Sequence, residues 1–142
     1  MAWRLTTSDD LAARLSDREI ESFRTSYTGE GDPVELLLND TAALFRDAIR
    51  TGGRARMSPK AGALPESVIS KAMDYAVVDV LKRLNKEINE DRRRARQDAE
   101  DFMHRLEDGR FEVEDDETPG GENPRLALTP SFTRPRPPRL LD

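Results

Sequence analysis

Apolar residues return at three- and four-residue steps along much of the chain, and the clearest run lies between Pro65 and Ile88. Ile69, Met73, Ala76, Val77, Val80, Leu81, Leu84 and Ile88 form one stripe, while Ser70, Lys71, Asp74, Asp79, Lys82, Arg83 and Lys86 fill the gaps. That period predicts a helix with a broad buried face. Pro65 suits a first helical turn, where its missing N–H costs nothing, and Glu66 puts an acid at the positive end of the helix dipole. The predicted helix is roughly 35 Å long at 1.5 Å per residue, enough to act as the spine of a small helical domain.

The same pattern marks other helices around it. Thr7-Ser8-Asp9-Asp10 before Leu11, Ala12 and Leu15 reads as a capped short helix, and Ser16-Asp17-Arg18-Glu19 restarts the pattern with Ile20, Phe23 and Tyr27. Asp32-Pro33-Val34-Glu35 combines an N-cap, a first-turn proline and an acid three residues on, which predicts a helix start. Val34, Leu37, Leu38, Thr41, Phe45, Ala48 and Ile49 make its inner face, and Gly52-Gly53 stops it. A last helix carries Ala95, Ala99, Phe102, Met103 and Leu106 inward and ends at Gly109. Phe111 and Val113 then alternate with Arg110, Glu112 and Glu114, which predicts a short extended segment able to pair with a strand edge.

The pattern stops at Glu114-Asp115-Asp116-Glu117. Beyond it lie Pro124, Pro130, Pro135, Pro137 and Pro138 with Arg125, Arg134, Arg136 and Arg139. Such a composition buries too little apolar surface to order by itself. Two units are expected: a helical domain over 1–113, and an acidic linker with a Pro-rich C-terminal arm over 114–142. The fold class expected is all-α, a small bundle of about four helices with a short extended segment and that arm.

Composition narrows what the domain can do. Hydrophobic and charged residues each make up 36% of the 142 positions, so the core is small for the surface it must support. The net charge of −5 argues against a dedicated nucleic-acid binder, although arginine clusters can still approach phosphates. There is no cysteine, hence no disulfide framework and no thiolate chemistry. Met1-Ala2-Trp3-Arg4 lacks the apolar core of a signal peptide, and no apolar run reaches membrane-spanning length, so a cytoplasmic protein without membrane contact is expected.

Catalytic constellations are not visible. His104, the only histidine, sits beside Asp101 and Asp108 at helical spacing and reads as a partly exposed polar residue rather than a base or ligand. Paired acids fall at helix starts or in the acidic tail, where capping and solvation account for them. Gly52-Gly53 and Gly29-x-Gly31 lack the strand before and the Lys-Ser/Thr after that a phosphate loop requires. No enzyme activity, cofactor or metal is expected.

Interaction chemistry is better represented. The loop from Arg54 to Leu64 carries Arg54, Arg56 and Lys60 and no acid. Arg92, Arg93, Arg94 and Arg96 form the densest positive cluster, readable as a solvated helix face balanced by Asp91, Asp98, Glu100 and Asp101, or as an interface or DNA-facing patch. Trp3 is a staple over the core or an anchor in a neighbouring subunit. Leu126, Leu128, Phe132, Leu140 and Leu141 give the arm hydrophobic contacts to offer.

The order of parts from Leu5 to Val113 resembles the small head-tail connector proteins of tailed bacteriophages, the adaptor or head-completion family that includes the Mu-type connectors. The likeness rests on Thr7-Ser8-Asp9-Asp10-Leu11-Ala12-Ala13-Arg14-Leu15 and the helix after an Asp-Pro start. It continues through a Pro-containing loop, the Leu64-Pro65 helix entry, and an Arg-rich helix ending Phe102-Met103-His104-Arg105-Leu106-Glu107-Asp108-Gly109-Arg110-Phe111. The resemblance implies a helical bundle in a ring, usually of twelve copies, in the virion neck, assembled in the host cytoplasm. Such a ring sits between the portal protein and a tail, stopper or terminator protein, and DNA passes through it without sequence-specific binding. By position, the basic Arg54 to Lys60 loop lies where such connectors have an extended loop; Arg54, Arg56 and Lys60 are expected to dock, better on an acidic portal surface than along the DNA path, and Arg92 to Arg96 to make subunit or channel contacts. Residues from Gly109 onward, with Phe111, Val113 and Leu126 to Leu141, would form an arm. The alternative function is a small helical DNA-associated regulator using the arginine cluster.

Overall fold

A computed structural model describes residues 3–53 and 55–115. These hold two strands and five helices in the order β1 (Trp3–Leu5), α1 (Ser8–Ala12), α2 (Asp17–Thr25), α3 (Pro33–Gly52), β2 (Ala63–Pro65), α4 (Glu66–Arg83) and α5 (Glu90–Glu107). The fold is mostly helical, and β1 and β2 form a two-stranded antiparallel sheet in the register Trp3↔Pro65, Arg4↔Leu64, Leu5↔Ala63.

Helices α2, α3 and α5 begin where an N-cap side chain satisfies an orphan N–H group. Glu19 N–H donates to Ser16 Oγ at 3.2 Å while Ser16 N–H donates to the Glu19 carboxylate at 3.0 Å, a reciprocal cap on α2. Asp32 Oδ1 accepts from Val34 N–H at 3.0 Å with Pro33 in the first turn of α3, and the same carboxylate takes Arg24 at 3.2 Å, fastening the end of α2 to the start of α3. Asn89 Oδ1 accepts from Arg92 N–H at 2.8 Å and starts α5.

The core lies among α3, α4 and α5. Phe45, Val34 and Leu38 from α3 meet Val68, Met73, Ala76, Val80 and Leu81 from α4 and Phe102 and Leu106 from α5, all buried. Phe45 sets its ring edge-on to Tyr75 at 5.8 Å between centroids. α3 and α5 approach closely at Gly52, where a Cβ would collide with the Leu106 carbonyl oxygen, so the glycine that ends α3 also lets α5 pass.

Three expectations need correction. The spine helix runs over Glu66–Arg83, with Pro65 as its N-cap and the last residue of β2. It stops because Asn85 turns left-handed at φ 56°, with Lys86 N–H reaching back to Leu81 O at 3.0 Å and Asn85 N–H to Lys82 O at 3.1 Å. This is the 6→1, 5→2 closure of a helix end, and α5 ends the same way at Gly109. Leu84 and Ile88 continue the apolar stripe only because the chain past the turn still packs on the core. Second, Phe111 to Glu114 forms no strand. The alternation is real, since Phe111 packs edge-on against Phe102 at 4.7 Å and Val113 is buried, but the backbone is held by side chains instead of a ladder. The sheet comes from two stretches read as an N-terminal lead-in and a helix entry. Third, five helices stand where about four were expected, α1 being little more than one turn. The Pro- and Arg-rich arm lies outside the described residues.

Candidate functional site

The N-terminal strand, the 55–65 connection and the 111–115 segment meet in one polar seam. Arg46, on the buried side of α3 and only 9% exposed, sits at its centre. Its guanidinium donates to Ala63 O and Ser58 O at 2.9 Å each and lies 5.7 Å from the Trp3 ring centroid. Trp3 Nε1 donates to Glu114 O at 2.6 Å. The Glu114 carboxylate accepts from Ser67 N–H at 3.2 Å and from the Ser67 hydroxyl, at the first turn of α4. Burial raises the Glu114 carboxyl's pKa, but the Ser67 hydrogen bonds outweigh that and hold it below the usual carboxylate range. Asp115 Oδ1 accepts from Arg56 N–H at 2.7 Å. Contacts of the folded unit therefore run on through Asp115.

Sequence-derived candidates fall into this seam or away from it. Trp3 is a staple within its own chain, 7% exposed. Phe111 is half-buried and Val113 buried. In the basic loop, Ala55, Met57 and Ser58 are buried, Arg56 is half-buried and Lys60 is exposed, its N–H donating to Ser58 Oγ at 3.2 Å. Arg54, Leu126, Leu128, Phe132, Leu140 and Leu141 lie outside the described residues.

The arginine cluster divides by helix face. Arg96 stacks 3.6 Å from the Tyr75 ring centroid, donates to Tyr75 O at 2.9 Å and pairs with Asp79 at 3.1 Å. Arg92 donates to Arg14 O at 3.2 Å, and Arg14 in turn pairs with Asp74 at 2.7 Å, so both arginines bolt α5 and the α1 end onto α4. Arg93 and Arg94 are exposed; Arg94 sits 3.7 Å from Glu90 one turn back. Half of the cluster is thus committed to packing. His104 is exposed and meets Glu107 at 2.9 Å. Among the described residues no group of three His, Cys, Asp or Glu could hold a metal ion, and no helix is long and apolar enough to cross a membrane.

Sequence reasoning missed Arg46, Ser67, Tyr75 and Asp79 as partners, and it missed the outer face of α3. A hint of Arg46 was present: it occupies a core-facing position among Ala42, Phe45 and Ile49. On the opposite face Leu36 and Leu44 are exposed at 42% and 45%, beside exposed Asn39, Asp40, Ala43 and Asp47. Along one flank of that face run two adjoining hollows of about 390 and 450 Å³ that share Asn39 and Gly62, the first bordered by Leu5 and Glu35 and the second by Ala43 and Asp47. Comparison of the chain with family models, with curated proteins and with solved structures gives no match.

Proposed function

We propose that this chain is a non-enzymatic structural protein of a tailed-phage particle, one subunit of a ring between portal and tail that extends the DNA channel and docks the next neck component. The observation that supports this reading most is how the helical unit ends. Trp3, Ser67 and Arg56 hold Glu114 and Asp115 at a fixed point of the surface, next in sequence to the Pro- and Arg-rich residues 116–142. A small helical body with a firmly rooted polar extension fits a subunit that gains stability from neighbours, because a head-to-tail contact repeated around a closed ring multiplies a modest interface. Exposed Leu5 is apolar surface that such a neighbour would cover. Lys60 and Arg56 are the docking residues of this reading, and exposed Arg93 and Arg94 its channel or subunit contacts. Arg92 and Arg96 are bound up in the fold, which weakens a regulator that would need the whole cluster on DNA.

Negative-stain electron microscopy and sedimentation of the purified full chain at rising concentration, alone and with a purified portal ring, test the proposal. Rotationally symmetric rings, or binding to the portal ring, are expected. A monomer at every concentration that ignores the portal overturns it. Steeply salt-dependent binding to duplex DNA by that monomer would establish the regulator instead.

A further inference from the structure

We infer that the outer face of α3 is the docking surface for the chain's own C-terminal segment, residues 125–141. The face offers Leu36, Ala43 and Leu44 among Glu35, Asp40 and Asp47; of the two cations that border its flank, Arg50 pairs with Asp47 at 2.8 Å and Arg46 is buried on the carbonyls of Ser58 and Ala63. The segment offers the complement: Leu126, Leu128, Phe132, Leu140 and Leu141 interleaved with Arg125, Arg134, Arg136 and Arg139, and no acid before Asp142. Apolar surface meets apolar surface, and opposite charges line both. The hollows beside Asn39 and Gly62 meet this face at Glu35, Ala43 and Asp47, beside the Leu36 and Leu44 stripe.

Reach favours the same chain over another. Asp115 is pinned to Arg56 in the connection whose other end, at Ala61 and Gly62, borders the hollows. The nine residues 116–124 span at most about 30 Å, close to the length of α3 itself. A tether of that length keeps the segment at an effective concentration on the order of millimolar, so a contact too weak to form between separate molecules forms within one. The prolines at 130, 135, 137 and 138 reduce the freedom lost on docking. The inference does not rest on the ring; a ring could later exchange the contact between neighbours.

The absence of cysteine allows a clean test. A Thr133→Cys variant of the full chain carries one nitroxide label, and amide signals are compared with the reduced label. Broadening concentrated on residues 36–47 is expected, and diluting the labelled chain into unlabelled, isotope-enriched chain should abolish it. Reversing the charges with Asp40→Lys and Asp47→Lys, both exposed and outside the core, should restore the signals roughly threefold. Broadening spread evenly, absent, or seen only between different molecules overturns the inference. None of those results bears on whether rings form, and absence of rings leaves the docking result standing.

Discussion

The three-helix core and the polar seam are held together in different ways. In the core, α3, α4 and α5 bury aliphatic and aromatic side chains, and many residues share each contact, so the loss of one leaves others in place. In the seam, β1, the 55–65 connection and the 111–115 segment have little regular structure to share. Beyond the short β1–β2 ladder they are joined by side-chain hydrogen bonds that close long stretches of chain, from Arg46 to Ser58 and Ala63, from Trp3 to Glu114, and from Ser67 to Glu114. The core tolerates approximation and the seam does not, because a buried donor or acceptor without its partner bears its full desolvation cost.

Substitutions can break this contrast. Phe45→Ala removes a fully buried ring and should cost about 3–5 kcal/mol in denaturant unfolding, lowering the midpoint with little change in slope. Arg46→Met keeps the apolar stem but strands the Ser58 and Ala63 carbonyls, at a cost of about 2–4 kcal/mol. The two should differ in extent as well as size. Hydrogen exchange in Arg46→Met should rise first at Trp3–Leu5 and 55–65 while α4 stays protected, whereas Phe45→Ala should weaken all three long helices together. Equal loss of protection in both variants would show that the seam is not a separate unit.

The same contrast explains what the sequence disclosed. The starts of α2 and α3 and the inner face of α3 are visible because caps and periodicity are local: Asp32-Pro33-Val34-Glu35 announces its helix with no outside help. The end of α4 is hidden because Leu84 and Ile88 keep to the stripe after Asn85 has turned the chain, and an asparagine with positive φ leaves no periodic trace. Strands of three residues are too short to show alternation. The core-facing position of Arg46 hints at its burial, but its partners are hidden because they are carbonyls, which every residue has. The basic loop shows its charges in the sequence, but not the burial of Ala55, Met57 and Ser58 between them, nor that Ser58 O accepts from Arg46. Of the candidate interface, the arm residues from Leu126 onward lie outside the described residues.

Trp3→Phe is a finer probe of the seam. It keeps an aromatic ring against Arg46 but deletes the indole N–H that reaches Glu114 O, and should cost about 1–2 kcal/mol. Because that bond ties the first described residue to nearly the last, the variant should expose the 111–115 backbone to proteolysis ahead of any other described segment. An unchanged cleavage pattern would mean that Ser67 and Arg56 suffice to hold the segment.

The smallest effect separates seam from helix caps by pH. Glu19, held low by hydrogen bonds from Ser16, and Asp10, held low by Arg4 and by Thr7 N–H, are local caps, whereas Glu114 spans the seam. All three carboxyls have folded pKa values below their unfolded ones, which lie near about 4. As pH falls past that value the unfolded chain takes up protons first. The stabilisation is therefore complete above the unfolded pKa and is lost as pH drops through the folded one. Melting temperature should stay level from about pH 8 to 5 and then fall. Glu114→Gln should melt lower than the parent at neutral pH and converge on it in acid, with the early loss confined to 111–115 and Trp3–Leu5, while Asp10→Asn should converge likewise but loosen α1. A Glu114→Gln deficit as large at about pH 3 as at pH 7 would show that the side chain acts through its shape and not its charge.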